Sequence, residues 1–429
     1  MSLSLRGFLR QLLVVATLAL GSCGGGSVGD APGDGNVAGD IGSGGTGAAG
    51  GVGSGGTGVA GGEGVGSGGT GATASVGVGA IDGFGSIVVN GVRYEIGAAT
   101  VVLSDVNMLK LGMTVRVTGS LSTDLTQGTA TLVASQADLR GVVSGLSPAN
   151  GTFNVLGVQV TTDASTVYAG GLAAFSGLAN GAVVQVHGLP DASGQLHATR
   201  IERLAAPALP VLTGAVQNLD RRTGTFSIGT QRVAYGSADF PGDWPSSNLA
   251  QGVVVRVRAQ TAASTLAASS IEPWNPTPLR DGTRLSLGGL VTDYVTPQSL
   301  RIDGVPADVS AARITGGGNG AVSGGLRVEA SGTMRGGVLV VTTLKVRESS
   351  TSDVAPVPST VENSYSARGS VGDYRSAGEF KVQGQDVDAS NAVFVGGTAA
   401  DLGPSRKVLV TGSRVRDDVL VADRVEFLP

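Results

Sequence analysis

The chain has 429 residues, of which 41% are apolar, 4% aromatic and 14% charged, with 72 glycines and a formal net charge of −4. That profile is too apolar for wholesale disorder and too poor in leucine heptads for a helical protein, so short strands joined by glycine turns are expected. An acidic balance without a clustered basic face speaks against nucleic-acid binding. A single cysteine, Cys23, excludes internal disulfides and cysteine-based metal clusters.

Residues 1–22 have the layout of an export signal. Arg6 and Arg10 form a positive start, and the apolar run from Gln11 to Leu20 is too short to span a bilayer comfortably. The run ends in Leu20-Gly21-Ser22-Cys23, which resembles the bacterial lipobox: a leucine, two small residues and a cysteine that is acylated on sulfur. Gly21 departs from the commoner alanine or serine. The plainer alternative is an ordinary cleaved signal with a cysteine nearby. The resemblance implies lipidation at Cys23, and each methylene buried in a bilayer contributes about 0.8 kcal/mol to anchoring. In the Gram-negative sorting pattern an aspartate after the cysteine retains the protein at the inner membrane. Here Gly24 follows, which implies the outer membrane.

Residues 23–75 read as a lipidated cysteine followed by a disordered glycine-rich linker, with Gly-Ser-Gly-Gly-Thr-Gly recurring at Gly42, Gly53 and Gly66. Such a segment buries too little to offset the entropy of ordering glycine. A flexible coil of about 50 residues reaches roughly 40 Å, enough to hold a folded body off a membrane. Neutral repeat expansion is an equally plain account of the same composition. Gly25-Gly26-Ser27-Val28-Gly29 matches the hydrolase G-x-S-x-G pattern, but no strand precedes it and no helix follows, so the match is chance.

Five repeats follow, bounded at 76–139, 140–204, 211–273, 284–348 and 365–429. Each opens on a glycine, then Val or Ile two residues on, then a large apolar residue: Gly79-Ala80-Ile81-Asp82-Gly83-Phe84 in the first, with counterparts from Gly141, Gly214, Gly289 and Gly369. A second block, such as Thr152-Phe153-Asn154-Val155-Leu156-Gly157, alternates apolar and polar residues into a tight turn and predicts a hairpin. A third, such as Leu178…Gly181…Val184-Gln185-Val186-His187-Gly188, has period-two alternation that turns its valines inward and Arg116, Gln185, Arg256 and Glu329 outward. A fourth, such as Leu196-His197-Ala198, closes the unit. Four or five strands in so few residues predict a small closed or nearly closed antiparallel barrel. Such a unit is marginal alone, so packing against neighbouring copies would help it. Pro-rich connectors from Ala205 to Pro210, Pro273 to Pro278 and Ala355 to Pro358 read as stiff spacers.

These blocks, G-x-V-x-x-L, T-F-x-V-x-G, L-x-x-G-x-x-V-x-V-x-G and L-x-A-x-x-I, resemble the bacterial family called domain of unknown function 5666, over roughly residues 76–428. The resemblance is clearest in the second and third copies; the fifth has Ser405 where the third block has glycine. It implies tandem repeats in exported proteins and lipoproteins, and small barrels similar to OB-folds. It supplies no catalytic residue to carry over. The expected fold is therefore all-β: a tandem array of five small OB-like antiparallel β-barrels after a disordered tether.

Few residues invite chemistry. His187 and His197 occupy variable slots of the second repeat and read as surface residues on strands, without the third ligand a zinc site needs. Asp82, Asp293, Asp373, Asp417 and Asp418 read as solvated turn acids, since no Asp-x-Asp-x-Asp calcium loop appears. The sheet face that OB-folds use for oligonucleotides or sugars offers Arg93, Tyr94 and Arg232 without interleaved aromatics. Trp244 and Trp274, each beside prolines, are barrel-end caps or, alternatively, ligand contacts for a sugar or a partner. No catalytic residue, metal site or cofactor is expected. The sequence reads as a non-enzymatic, lipid-anchored outer-membrane protein of the cell envelope, its barrels forming an elongated surface for an envelope protein or polysaccharide. The alternatives, in order, are a carbohydrate-binding or scaffold role, a hydrolase with an unrecognised site, and an outer-membrane channel.

Overall fold

Valine-rich alternation and a two-residue turn act together in every unit to make the same hairpin, and the hairpin explains the opening glycine. The side chain of the turn lies over that glycine. A Cβ on Gly79 would sit 2.1 Å from Asn90 Oδ1, and one on Gly289 2.3 Å from Asp303 Oδ2. Leu156 and Gln383 cover Gly141 and Gly369 in the same way, while Gly214 is covered by Ile228, the strand residue just before the turn. The computed structural model describes residues 74–277, 280–316, 322–347 and 365–429. The signal, Cys23, the glycine-rich stretch through residue 73 and the Ala355 to Pro358 connector lie outside the described residues.

In the first unit β1 (Ala74–Phe84) is followed by β2 (Ile87–Val89), β3 (Val92–Glu95), β4 (Thr100–Leu103), β5 (Thr114–Leu121) and β6 (Gln127–Ser135). β1 pairs antiparallel with β2 and β5, β2 with β3, and β5 with β6. β3 closes the ring by running parallel to the first part of β6, residues 93–95 beside 127–129. β4 adds a short parallel strand to the second part, residues 100–103 beside 132–135. The ring is thus antiparallel except where β3 meets β6, and the strand order is that of an OB-like barrel. The glycine ending the third block is also steric: at Gly119 the β5–β6 register shifts, and a Cβ there would lie 2.0 Å from Thr129 O.

The circuit recurs. The second unit holds β7 (Leu139–Ser147), β8 (Thr152–Val155), β9 (Val158–Thr161), β10 (Val167–Ala169), β11 (Val183–Pro190) and β12 (Leu196–Arg203). The third holds β13 (Val211–Ala215), β14 (Gln217–Asp220), β15 (Thr225–Ile228), β16 (Gln231–Ala234), β17 (Val254–Ala259) and β18 (Thr265–Pro273). The fourth holds β19 (Arg284–Thr296), β20 (Ser299–Ile302), β21 (Val305–Asp308), β22 (Arg313–Thr315), β23 (Arg327–Arg335) and β24 (Val338–Arg347). In the fifth, β25 (Tyr365–Ser376), β26 (Glu379–Val382), β27 (Gln385–Asp388) and β28 (Val393–Val395) precede two strands that are each broken in two. These are β29 (Lys407–Gly412) with β30 (Arg414–Arg416), and β31 (Val419–Val421) with β32 (Arg424–Phe427). The parallel closure appears as β9 with β12, β16 with β18, β21 with β24 and β27 with β31.

The described residues from 74 onward fall in one compact unit, and its barrels are not held apart as separate bodies: strands of different barrels pair edge to edge. β1 runs parallel to β19 (75–78 beside 284–287) and to β25 (83–84 beside 366–367). β7 pairs with β13, and β10 meets β30 at Tyr168 and Arg416. Outward positions are consequently not all wet. Gln185, Arg256 and Glu329 point out of their own barrels and are buried against other units, while Arg116 is half-buried. Each barrel is filled by the expected apolar face, as with Ile81, Val89, Val117 and Val133 in the first.

Candidate functional site

Where barrels meet, the buried groups are charged. Asp138 lies in the short joint between β6 and β7 and is fully buried. Its carboxylate accepts hydrogen bonds from Thr114 Oγ1 of the first unit (2.6 Å), the Gly188 amide of the second (2.9 Å), and Arg256 Nη2 and Trp274 Nε1 of the third (2.7 Å each). Asp105 of the first unit is the second such node, taking both Nη atoms of Arg258 (2.9 and 2.7 Å), Nη1 of Arg140 (3.0 Å) and the Ala137 amide (3.1 Å). Burial pushes its carboxyl up, but the hydrogen bonds and charges of Arg258 and Arg140 outweigh that and hold it at about 2.

His187 belongs to the same seam, which corrects its reading as a surface residue. It is buried, and its Nδ1 is 3.1 Å from Thr114 Oγ1. The threonine has one proton and gives it to Asp138, so Nδ1 carries the imidazole proton and Nε2 is a buried lone pair with no partner among the described residues. Burial first, with Arg200 and Arg256 adding, lowers the imidazole to about 4. His187 is neutral at physiological pH. His197 is half-buried.

The turn acids are corrected as well. Asp418 accepts from Arg200 Nη1 (2.6 Å) and from Lys110, tying the fifth unit to the second and the first; Asp417 accepts the Gly171 amide (2.7 Å). Asp82 is nearly buried, 3.0 Å from Arg347 Nη2, while Arg347 Nε donates to Glu329 (2.6 Å). Burial outweighs the arginine and raises Asp82 to about 6. Nearby, Tyr365 of the fifth unit donates its hydroxyl to the Ser165 carbonyl, and Arg327 of the fourth donates to Ser165 Oγ (2.9 Å). Asp293 and Asp373 are exposed, as expected of turn residues.

A cleft of about 660 Å³ has walls from four units: Val78, Pro190 with Asp191, Val254 with Trp274, and Leu287 with Arg301, Asp303 and Pro306. Its surface is mainly apolar, with acidic groups and one arginine at intervals, the mixture typical of ligand clefts. Arg301 Nη1 is turned onto the Gly304 carbonyl (2.7 Å), and Asp191 receives Ser193 Oγ (2.8 Å) and the Gln195 amide (2.8 Å). Asp303 is unusual. Its Oδ1 accepts the Leu290 amide (2.8 Å), but Oδ2 is shielded from solvent and has no partner among the described residues. Burial, with the Asp191 charge adding, pushes the carboxyl up to about 8, so it is protonated at neutral pH.

The two tryptophans part company. Trp274 lines the cleft but is almost wholly buried, its indole nitrogen spent on Asp138. Trp244 is half-buried and stacks on Phe240 (6.1 Å, 28° between planes), ending a chain of rings through Tyr235 to Phe226 in the third barrel. No ring contact joins the two among the described residues. Tyr94, placed on the prospective binding face, is instead a core residue of the first barrel. Among the described residues no group of three or more His, Cys, Asp or Glu side chains is arranged to hold a metal ion. Of the residues that organise the seam, Asp105, Asp138 and Arg347 lie outside the four repeat blocks, and Arg200 has an arginine counterpart in the fifth unit, Arg424, which is exposed. The repeat pattern therefore did not single them out.

Five rings of one strand order, fused through strand edges and buried charge, define a tandem small-barrel protein. The family model described as Domain of unknown function (DUF5666) matches residues 78–134, 140–202, 213–272 and 368–426, more than half of the chain, and the chain belongs to that family. The fourth unit lies outside the matched segments yet repeats the circuit. No curated protein matches the chain significantly.

Proposed function

We propose that this protein is a non-enzymatic lipoprotein of the cell envelope, held through Cys23 at the outer membrane, whose fused barrels offer one composite surface to an envelope protein or polysaccharide. The anchor is supported by the charged start, the short apolar run and the lipobox-like Leu20-Gly21-Ser22-Cys23. The observation that carries the binding role is the four-walled cleft: each wall comes from a different barrel, so no single barrel could offer this surface. A saccharide is the second reading, favoured by an indole, four prolines and spaced carboxyl groups along one cleft.

Labelled palmitate should enter the chain and be lost in Cys23→Ala. Envelope partners captured by the wild type should be released by Asp293→Lys with Arg301→Glu, both exposed at the cleft. A glycan array probed with the same pair of proteins separates the polysaccharide from the protein partner. Equal capture by wild type and cleft variant would remove the cleft from the proposal.

A further inference from the structure

β4 is the one aliphatic strand of the first unit left open. It is bonded to β6 along one edge, and among the described residues nothing pairs with the other. None of its four residues is buried; Val101 and Val102 are 42% and 46% exposed. Met108 is 55% exposed, and with Val101, Leu103, Phe84, Ile96 and Leu109 it lines an open groove of about 510 Å³. Residues 97–104, Gly-Ala-Ala-Thr-Val-Val-Leu-Ser, contain no charge and no proline. The devices that ordinarily blunt a free edge are missing from a segment of high β-propensity.

The equivalent strand of the second unit is covered: β10 is buried along its length, and its outer edge is met by β30 of the fifth. The counterparts in the fourth and fifth units carry less aliphatic surface in sequence: β22 begins with the charged Arg313, and β28 is a three-residue strand whose Val393 is 63% exposed but whose Phe394 stacks on Phe427 at 6.3 Å. The slot that β4 leaves open is therefore one that another copy of the same fold fills in the second unit. Edge pairing is also how these barrels join throughout, at β1 with β19, β1 with β25, β7 with β13 and β10 with β30.

We infer that the open β4 edge is a homodimer interface, closed by β4 of a second copy of this chain running antiparallel about a two-fold axis. The contact is isologous, with Val102 of each copy opposite Val102 of the other across the two-fold axis and the Met108 patches flanking the ladder. A four-residue ladder with one apolar flank falls in the small class of interfaces, below about 1,200 Å² in total, so association is concentration-dependent.

The test uses the full chain with Cys23→Ala, so that an introduced thiol is unique. With Val102→Cys, mild oxidation should give a species of twice the chain mass; Leu209→Cys, at a site 52% exposed in the joint between the second and third units, should not. In sedimentation velocity the unmodified chain should shift towards dimer with concentration, and Val101→Lys with Val102→Lys should stay monomeric. Both lysines fall on an exposed edge, and an unchanged circular dichroism spectrum checks that the variant is folded. A monomer at every concentration with no excess cross-linking at Val102 overturns the inference. So does a dimer that survives the lysine pair, which would place the contact on another surface. Protection of the edge by another part of the chain would give that same monomeric, uncross-linked result.

Discussion

The inside of a barrel and the seam between barrels are both dry, yet they are built by opposite rules. Inside, Phe153, Val155, Val160 and Leu196 of the second unit exclude water with nothing but hydrocarbon. At the seam Arg200, Arg256, Asp138 and His187 are just as buried and are held by ion pairs and hydrogen bonds. Hydrocarbon is non-directional, so an interior accepts another residue of similar volume. A buried ion pair accepts one geometry, and breaking it leaves a charge without water or partner. The lesson is a division of labour: apolar surface makes each unit fold, and charge decides how the units dock.

The sharpest way to break that comparison is Asp138→Ala, which takes the acceptor away from Arg256 Nη2, Trp274 Nε1, Thr114 Oγ1 and the Gly188 amide together, although Arg256 keeps Glu272 and the Ala137 carbonyl. A loss of about 3–5 kcal/mol is expected, with calorimetry showing the single unfolding transition split as units uncouple. One unchanged cooperative transition would show that the seam does not couple the barrels. Next in size, and opposite in sign, is Asp303→Asn. The folded carboxyl titrates at about 8, well above an unfolded aspartate, so the native state binds the proton more tightly. Its contribution is whole below about pH 4 and is lost as pH rises towards 8. The amide cannot ionise, so the variant should be more stable at neutral pH by on the order of 2 kcal/mol, discounted from the full shift for local relaxation. Denaturant titrations from pH 4 to 8 should find the gap between the two proteins widening with pH; a constant gap would refute the assignment.

Gly214→Ala tests the steric account of the opening glycine, because the new Cβ would meet Ile228 Cγ2 at 2.4 Å. Overpacking of this kind costs about 1–3 kcal/mol, seen as a lower denaturation midpoint, and Ile228→Val should recover part of it. The smallest effect belongs to Arg375→Ala. Its pair with Glu379 is exposed on both sides, so urea denaturation should detect a change of no more than about 0.5 kcal/mol. A larger loss would mean that charge outside the seams also carries structure.

Much of the fold was legible residue by residue. Phe153, Val155 and Val158 alternate with Asn154 and Gln159 about a turn at Leu156-Gly157, which predicts both the hairpin and its buried face. The candidate site was hardly legible. Trp274 was singled out by its prolines, but its role as a cleft wall bonded to Asp138 depends on residues 136 positions apart. His187 and Arg256 looked solvent-facing because alternation tells which side of a strand a residue takes and nothing about what lies beyond that side.

By itself the sequence determined the five-fold repeat, the strand pattern and the apolar interior of each unit, since these follow from period-two alternation and the steric demands of a few glycines. Only the tertiary structure decided which outward faces are dry, which acids are paired and where four barrels leave a cleft. Those depend on contacts between residues hundreds of positions apart, whose desolvation and pairing no local pattern encodes.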